Sequence, residues 1–287
     1  MALGTGDIAE LLNDQVASLL VQPLEASSVV LSSGVRIFDS AGVLRIPKLT
    51  GSSTVGFIGE NQEIPSTHTT SFDEVVLMPT ERKSIKVIER FSRESLRQSV
   101  IGLDAVLKAR LVKVVGDHLD QALLTGTGLD DQSDPDDSIT GIINQAGVET
   151  GVFDPSDPDT ILDAIATLNA NEVTPNRIFL SGADFALMRK VKESTGSKRY
   201  LLQPDPSRAA GHTLFEVPVT VTNKLDAGTA VVADMSTVAV VRDTAPSITV
   251  LTERYAEFSQ IGLRVETRYD LGLLHPEAVV VLGEDGS

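Results

Sequence analysis

The chain has 287 residues, of which 41% are hydrophobic, and its formal net charge at pH 7 is −16. Because phosphate binding depends on clustered lysine and arginine, this net charge argues against a nucleic-acid-binding protein. The lack of cysteine excludes disulfides, thiolate catalysis and cysteine-ligated zinc. No apolar run approaches the roughly 18 residues of a membrane span, and Asp7 and Glu10 stand where a secretory signal would carry lysine or arginine, so we expect a cytoplasmic protein without membrane contact.

The first predicted element is an amphipathic helix over residues 7–21. Its apolar side chains recur at helical spacing on one face: Ile8, Leu11, Leu12, Val16, Leu19 and Leu20. Such a face needs a partner. The residues alone favour packing onto the domain of the same chain.

Extended structure is predicted next. Residues 35–49 alternate around a turn at 40–42 and predict a short hairpin, while 54–60 and 72–80 predict two longer strands joined by a polar stretch. Residues 81–91 then predict a strand that returns to the body. An isolated two-stranded hairpin is only marginally stable in water, so the longer one must lie on something. On the residues alone, an edge hairpin on the chain's own sheet is one way to meet this requirement, and others stay open.

The strongest local pattern predicts a helix over residues 103–124. Apolar residues and one histidine recur there at steps of three or four: Leu103, Leu107, Leu111, Val114, His118 and Leu119. Gly126 and Gly128 follow directly and supply the open or left-handed conformations that favour a helix end.

The second half of the chain predicts a mixture of helices and strands. Asp157 and Pro158 have the N-cap and N1 chemistry of a helix that runs to about Asn169. The other predicted elements are a strand at 177–180, a helix that opens with a capping box at 181–184 and reaches about Glu193, short strands at 217–222, 229–233, 238–242 and 247–252, and a long strand at 261–271.

The residues that could carry catalysis or hold a metal are poorly arranged for either. His68, His118, His212 and His275 show no metal-ligand spacing, and the acidic run 130–137 lacks the sixth-position glycine and closing glutamate of a calcium loop. Neither a phosphate loop nor a nucleophile elbow is present. We therefore expect no catalytic residue, no cofactor and no metal.

Several short motifs follow one another in a characteristic order. They lie at residues 45–50, 56–65, 72–79, 92–96, 123–128, 141–144 and 275–282. In this order the chain resembles the major capsid proteins of tailed bacteriophages, the phage capsid family with the Hong Kong 97-type fold. Val279, in the last motif, stands where phenylalanine is usual in that family. The resemblance covers nearly the whole chain, from about Val35 to Leu282.

The resemblance implies an α+β fold with a characteristic domain order. The expected parts are an N-terminal arm at 1–34, a P-domain with a long spine helix at 35–49 and 81–154, an extended E-loop hairpin at 50–80, an A-domain at 155–242, long P-domain strands at 243–271, and a closing A-domain strand with a tail at 272–287. The expected subunit contacts are Val55, Phe57, Ile58 and Ile64 on the E-loop, and Ile8, Leu11, Leu12, Val16 and Leu19 on the N-terminal arm.

The function implied by the resemblance is that of a structural shell subunit. Copies would form pentamers and hexamers of an icosahedral head in the bacterial host cytoplasm, enclosing double-stranded DNA without sequence-specific binding. Scaffold, portal and decoration proteins are further expected partners. The alternatives are an encapsulin-type nanocompartment shell and, from a different class, a monomeric enzyme. The family's lysine–asparagine cross-link between subunits is not expected, because residues 50–72 contain no lysine.

Overall fold

The computed structural model describes residues 24–50, 71–78, 84–92, 103–128, 139–192, 212–251 and 253–283. The predicted N-terminal helix, the E-loop residues Val55, Phe57, Ile58 and Ile64, the acidic run 130–137 and His68 lie outside these ranges, as do Ile8, Leu11, Leu12, Val16 and Leu19. Those predictions therefore stay predictions.

Helices and strands alternate irregularly along the described chain. The strands are β1 (Arg36–Asp39), β2 (Leu44–Thr50), β3 (Ser71–Leu77), β4 (Ile85–Ser92), β5 (Glu149–Val152), β6 (Arg177–Leu180), β7 (Thr213–Leu214), β8 (Val217–Val221), β9 (Ala230–Ala233), β10 (Val238–Leu251), β11 (Gln260–Leu273) and β12 (Val279–Gly283). The longer helices are α1 (Leu103–Thr125), α2 (Asp159–Ala170) and α3 (Gly182–Lys190). Single 3-10 turns lie at Leu31–Ser33, Ile142–Asn144, Met235–Thr237, Ala256–Phe258 and Pro276–Ala278, and residues 24–27 are helical.

The described strands form three sheets. One has the order β1-β10-β11-β4, the second has the order β5-β12-β9-β6-β8-β7, and β2 pairs with β3 alone. Helix α1 packs on the first sheet, whereas α2 packs against β9 and β12 of the second. The predicted α+β fold class is confirmed.

Helix α1 confirms the strongest local prediction. Its buried side chains Leu111, Val115, Leu119 and Leu123 share one core with the alternating residues of β11 that face the helix. Burial of each such leucine stabilises the fold by roughly 1.5–3 kcal/mol. Leu111 and Leu119 of the predicted apolar positions lie on the buried face, whereas Val114 is 43% exposed and its neighbour Val115 is buried instead.

The predicted short hairpin at 35–49 is wrong. Strand β1 pairs in parallel with β10, with Arg36 opposite Ala239, and β2 pairs antiparallel with β3, with Leu44 opposite Leu77. The two strands join different apolar clusters, since Ile37 of β1 packs beside the α1 core and β2 packs on a cluster around Leu77 and Val241. Each strand therefore finds its partner elsewhere, and among the described strands β3 pairs with β2. The predicted strand 54–60 lies outside the described ranges.

The predicted break between strands 238–242 and 247–252 is also wrong. Strand β10 is continuous over 14 residues, and its register against β11 shifts between Arg242 and Thr244 and again between Thr244 and Ser247. Pro246 lies in this irregular stretch, where a missing ladder hydrogen bond is tolerated. What the sequence indicates as a loop is a bulge in one long strand.

The helices of the second half begin where the sequence predicts, with small corrections. Pro158 is the N-cap of α2, and Asp157 accepts a hydrogen bond on Oδ1 from the Asp159 N–H at 3.1 Å, so it satisfies the helix start from one position earlier. Ser181 caps α3 by accepting the Asp184 N–H at 3.1 Å. The helix then ends at Lys190, three residues before the predicted end, because Val191 is extended.

Candidate assembly surfaces

The N-terminal segment is attached to α1 through a buried carboxylate. Asp120 is 2% exposed; its Oδ1 accepts from the Ser28 hydroxyl at 2.5 Å and the Val30 N–H at 3.2 Å, and its Oδ2 accepts from the Val29 N–H at 2.8 Å. These bonds hold the turn that follows the helical residues 24–27. Sequence reasoning missed Asp120, although a carboxylate among the apolar residues of the helix was the available signal.

An arginine joins the same segment to the first sheet. Arg242 donates from Nε and Nη2 to the two carboxylate oxygens of Asp39 at 2.7 and 3.0 Å, and from Nη1 to Glu25 Oε1 at 2.5 Å. The hydrogen bonds from Arg242 lower the pKa of the Asp39 carboxyl group. The hydrogen bond to Asp39 in turn raises the pKa of Arg242. The Arg242 guanidinium on β10 therefore links Glu25 of the N-terminal segment to Asp39 of β1 through charge-assisted hydrogen bonds.

Tyr269, beside this arginine, is a buried titratable group whose pKa is raised. Its side chain is fully buried, and burial raises its pKa from 10.0 to about 12. Because the folded pKa lies above the unfolded one, the neutral hydroxyl stabilises the fold fully below pH 10, and this contribution is lost as pH rises through about 12. A difference of two pKa units corresponds to about 2–3 kcal/mol.

We therefore expect the free energy of unfolding to fall between pH 10 and 12 by more in the wild type than in Tyr269→Phe. Urea unfolding at a series of pH values measures the difference, and phenylalanine keeps the ring that fills the core. Parallel pH curves for the two proteins would contradict the assignment.

The hairpin formed by β2 and β3, here called the hairpin base, is attached to the far end of β11. Leu77 packs beside Gly272, where a Cβ atom would overlap the leucine side chain. The Met78 N–H donates to Asp270 Oδ2 at 2.6 Å, and Arg45 forms an ion pair with Glu74 across the two strands. The E-loop predicted at residues 50–80 begins at the end of β2 and includes β3, so the hairpin base is where it joins the body.

Two of the motifs quoted from the sequence meet at the end of α1. The Gly141 N–H donates to the Gly126 carbonyl oxygen at 2.8 Å, and Asn144 Nδ2 donates to the carbonyl oxygens of Thr125 and Gly126 at 3.1 and 2.9 Å. Asn144 thus satisfies acceptors that a helix end leaves open. Gly128 has the left-handed φ of 103°, whereas Gly126 is required for a close approach of backbone to backbone.

The face of the first sheet opposite α1 is rich in cations. It presents Lys86, Ile88 and Arg90 from β4, Arg264, Glu266 and Arg268 from β11, and Asp243 from β10. The side chains of Lys86 and Arg264 are 57% and 42% exposed, and Ile88 is 44% exposed. In a chain of net charge −16, four cationic and two acidic side chains make this face locally basic.

The described residues show no arrangement typical of a reactive centre. His118 is half-buried on α1, and the His212 ring lies 4.7 Å from the Phe185 ring. Within the described ranges, no group of three histidine, aspartate or glutamate side chains could hold a metal ion. No helix in the same part of the chain is long and apolar enough to cross a membrane.

Solved structures with the same architecture include structures from two phages and the capsid of a GTA particle. The fold matches a structure of Microbacterium phage Oxtober96 with a TM-score of 0.70 at 18% identity, over 90% of this chain and 91% of the other. It matches Mycobacterium phage Adephagia with a TM-score of 0.71 at 16% identity, over 91% of each chain. The capsid of a native GTA particle, computed with C5 symmetry, matches with a TM-score of 0.70 at 12% identity, over 90% of each chain. These likenesses confirm the predicted Hong Kong 97-type fold.

The family comparison covers almost the whole sequence. No curated protein matches the chain significantly. The model of the phage capsid family, however, matches residues 9–283. That range includes all three sheets, the long helix α1 and the motifs that meet at its end. The chain therefore belongs to the phage capsid family.

Proposed function

We propose that the chain is the major capsid protein of a tailed double-stranded DNA phage, whose copies close into an icosahedral head around the genome. The family match over residues 9–283 carries this proposal, and the fold agrees with it. Copies would associate in pentamers and hexamers through heterologous contacts, in which the rotation between neighbouring copies closes each group into a ring. Membership in a structural family favours a shell role over an enzymatic one, and no likeness reported above favours the encapsulin alternative.

We also propose that the domain division expected from the sequence holds in outline. The sheet β1-β10-β11-β4 with α1 would form the P-domain, and the six-stranded sheet with α2 and α3 the A-domain. Sheet membership favours placing β5 in the A-domain and all of β10 in the P-domain, because each strand should belong with its hydrogen-bonded neighbours.

The contacts between copies are proposed to come from the two arms. Val55, Phe57, Ile58 and Ile64 of the E-loop and Ile8, Leu11, Leu12, Val16 and Leu19 of the N-terminal arm would bury their apolar side chains on neighbouring subunits. Residues 50–80 carry four acidic residues and no lysine or arginine. This charge complements the basic face of the first sheet, which makes that face the proposed receiving surface for the hairpin of a neighbour.

The test is particle formation by the purified full chain. Negative-stain electron microscopy and light scattering are expected to show large closed particles, either from the chain alone or with scaffold or portal proteins supplied. Nuclease-protected double-stranded DNA in particles from infected cells would support a phage head, whereas a packaged enzyme would indicate an encapsulin. A single species of 30.6 kDa across protein concentration, salt and added scaffold would contradict the proposal.

A further inference from the structure

A buried carboxylate lies where the hairpin base meets the body. Asp270 of β11 is 1% exposed, and both of its oxygens are used: Oδ2 accepts the Met78 N–H at 2.6 Å and Oδ1 accepts the Leu271 N–H at 2.8 Å. Met78 directly follows β3, and it is 192 residues away from Asp270 in sequence. One side chain therefore links the outgoing end of the hairpin to a long strand of the first sheet.

Met78, at the end of β3, has an unusual backbone conformation and a buried side chain. Met78 has a φ of 57°, a left-handed conformation that a non-glycine residue adopts at a cost. Its side chain is 1% exposed, and the neighbouring Leu77 is 2% exposed against Gly272. The hydrogen bond to Asp270 holds Met78 in this conformation, so the carboxylate determines how β3 ends.

The hairpin base packs on the body around Leu77 and Val241, but this packing is incomplete on one side. A cavity of about 180 Å³ separates part of β3 from the loop after α1 and from the end of β11. It is lined by Val75 and Val76 on one side and by Gln145 and Pro276 on the other. Gln145 donates to the carbonyl oxygens of Thr140 and Leu271 at 2.8 and 3.3 Å, so it belongs to the body side. The hairpin base therefore has room to tilt on this side.

We propose that Asp270 sets the angle at which the hairpin leaves the body and, through that angle, the curvature of the assembled shell. This inference rests on the proposed function, in which the hairpin contacts a neighbouring copy. Over the seven residues of β2, about 23 Å at 3.3 Å per residue, a tilt of about 10° displaces the far end by about 4 Å. A displacement of that size at a repeated contact changes how the subunits close.

The test compares Asp270→Asn with a matched variant, Asp120→Asn, in the full chain. Both aspartates are buried and accept backbone N–H groups on both oxygens, but Asp120 holds residues 28–30 instead of the hairpin. An amide has one acceptor oxygen and cannot serve both N–H groups. Hydrogen exchange of the Met78 amide is expected to accelerate roughly ten- to a hundredfold in Asp270→Asn, relative to amides of β10, and to keep its wild-type rate in Asp120→Asn.

Particle diameter is the readout that a merely structural role would not change. Electron microscopy is expected to show altered or mixed diameters for Asp270→Asn and wild-type diameters for the particles that Asp120→Asn forms. If Asp270→Asn fails to fold, Asp270→Glu keeps both acceptor oxygens, and the adjacent cavity has room for its extra methylene. Folded Asp270→Glu is expected to assemble with a shifted diameter.

Wild-type diameters for folded Asp270 variants, or unchanged exchange at Met78 in Asp270→Asn, would overturn the inference. If the wild-type chain forms no particles under any condition, the proposed function fails. The exchange measurement on the subunit still tests the link between Asp270 and the hairpin in that case.

Discussion

Replacing Gly126 with alanine is expected to destabilise the subunit by at least about 4 kcal/mol, a large fraction of the stability of a typical domain. A Cβ atom at this position would overlap the carbonyl oxygen of Ile139 and would lie 2.5 Å from that of Ala122. Both obstacles are backbone atoms, which cannot move aside as a flexible side chain can. Any relaxation would also separate Gly126 from Gly141 and remove the bonds that Asn144 makes to the end of α1.

The same approach predicts an equally severe effect of Gly141→Ala, whose Cβ would lie 2.6 Å from the Gly126 nitrogen and the Leu124 carbonyl oxygen. Gly42→Ala is the matched control, because no atom lies within 4 Å of its added Cβ. That control is expected to unfold within about 1 kcal/mol of the wild type. Urea denaturation followed by circular dichroism measures all three. A Gly126→Ala protein as stable as the control would show that the two segments do not touch.

Replacing both Phe57 and Ile58 with serine is expected to leave a folded subunit that does not assemble. The proposed E-loop is too thin to bury these side chains within the arm, and burial of each against a neighbour contributes roughly 1.5–3 kcal/mol. Half of that amount for the two side chains together is still about 1.5–3 kcal/mol at each repeated contact. Charge cannot substitute for it, because subunits of net charge −16 repel one another and exposed ion pairs contribute little.

Circular dichroism beside electron microscopy of the double variant tests this expectation. Val43→Ser is the control, since Val43 is 43% exposed in the described structure and its loss should affect neither fold nor assembly. Loss of the fold in the double variant would place Phe57 and Ile58 in the core of their own subunit. Intact shells would show that the arm is not the main lateral contact. Arg264→Glu, in the same assay, tests whether the basic face receives the acidic hairpin.

Elements with a strong local period could be predicted from the sequence. Helix α1 repeats its apolar residues over six turns, and β6 and β11 were predicted within two residues of their observed bounds. The pairing of β1 with β10 could not be predicted, because alternation indicates a strand but not its partner. The turn residues between β1 and β2 favoured a local hairpin, and only the two separate apolar clusters decide against it.

Some features of the candidate surfaces could be predicted from the sequence, and others depend on contacts between remote segments. The order of the motifs was sufficient to indicate the phage capsid family, and the composition of residues 50–80 is acidic in any fold. The roles of Asp120 and Asp270 were not visible, since their partners lie about 90 and 192 residues away along the chain. The contact residues on the two arms stay predictions, because they lie outside the described ranges.

The sequence by itself determined the helix α1, most of the strands and the family. Each of these depends on residues that are neighbours along the chain or on the order of short motifs. The tertiary structure decided which strands pair, why Gly126 must be glycine, and which carboxylates hold residues 28–30 and the hairpin base to the rest of the chain. These features depend on distances between remote segments once the apolar faces are buried. A buried polar group acquires its role from the partner that burial brings to it.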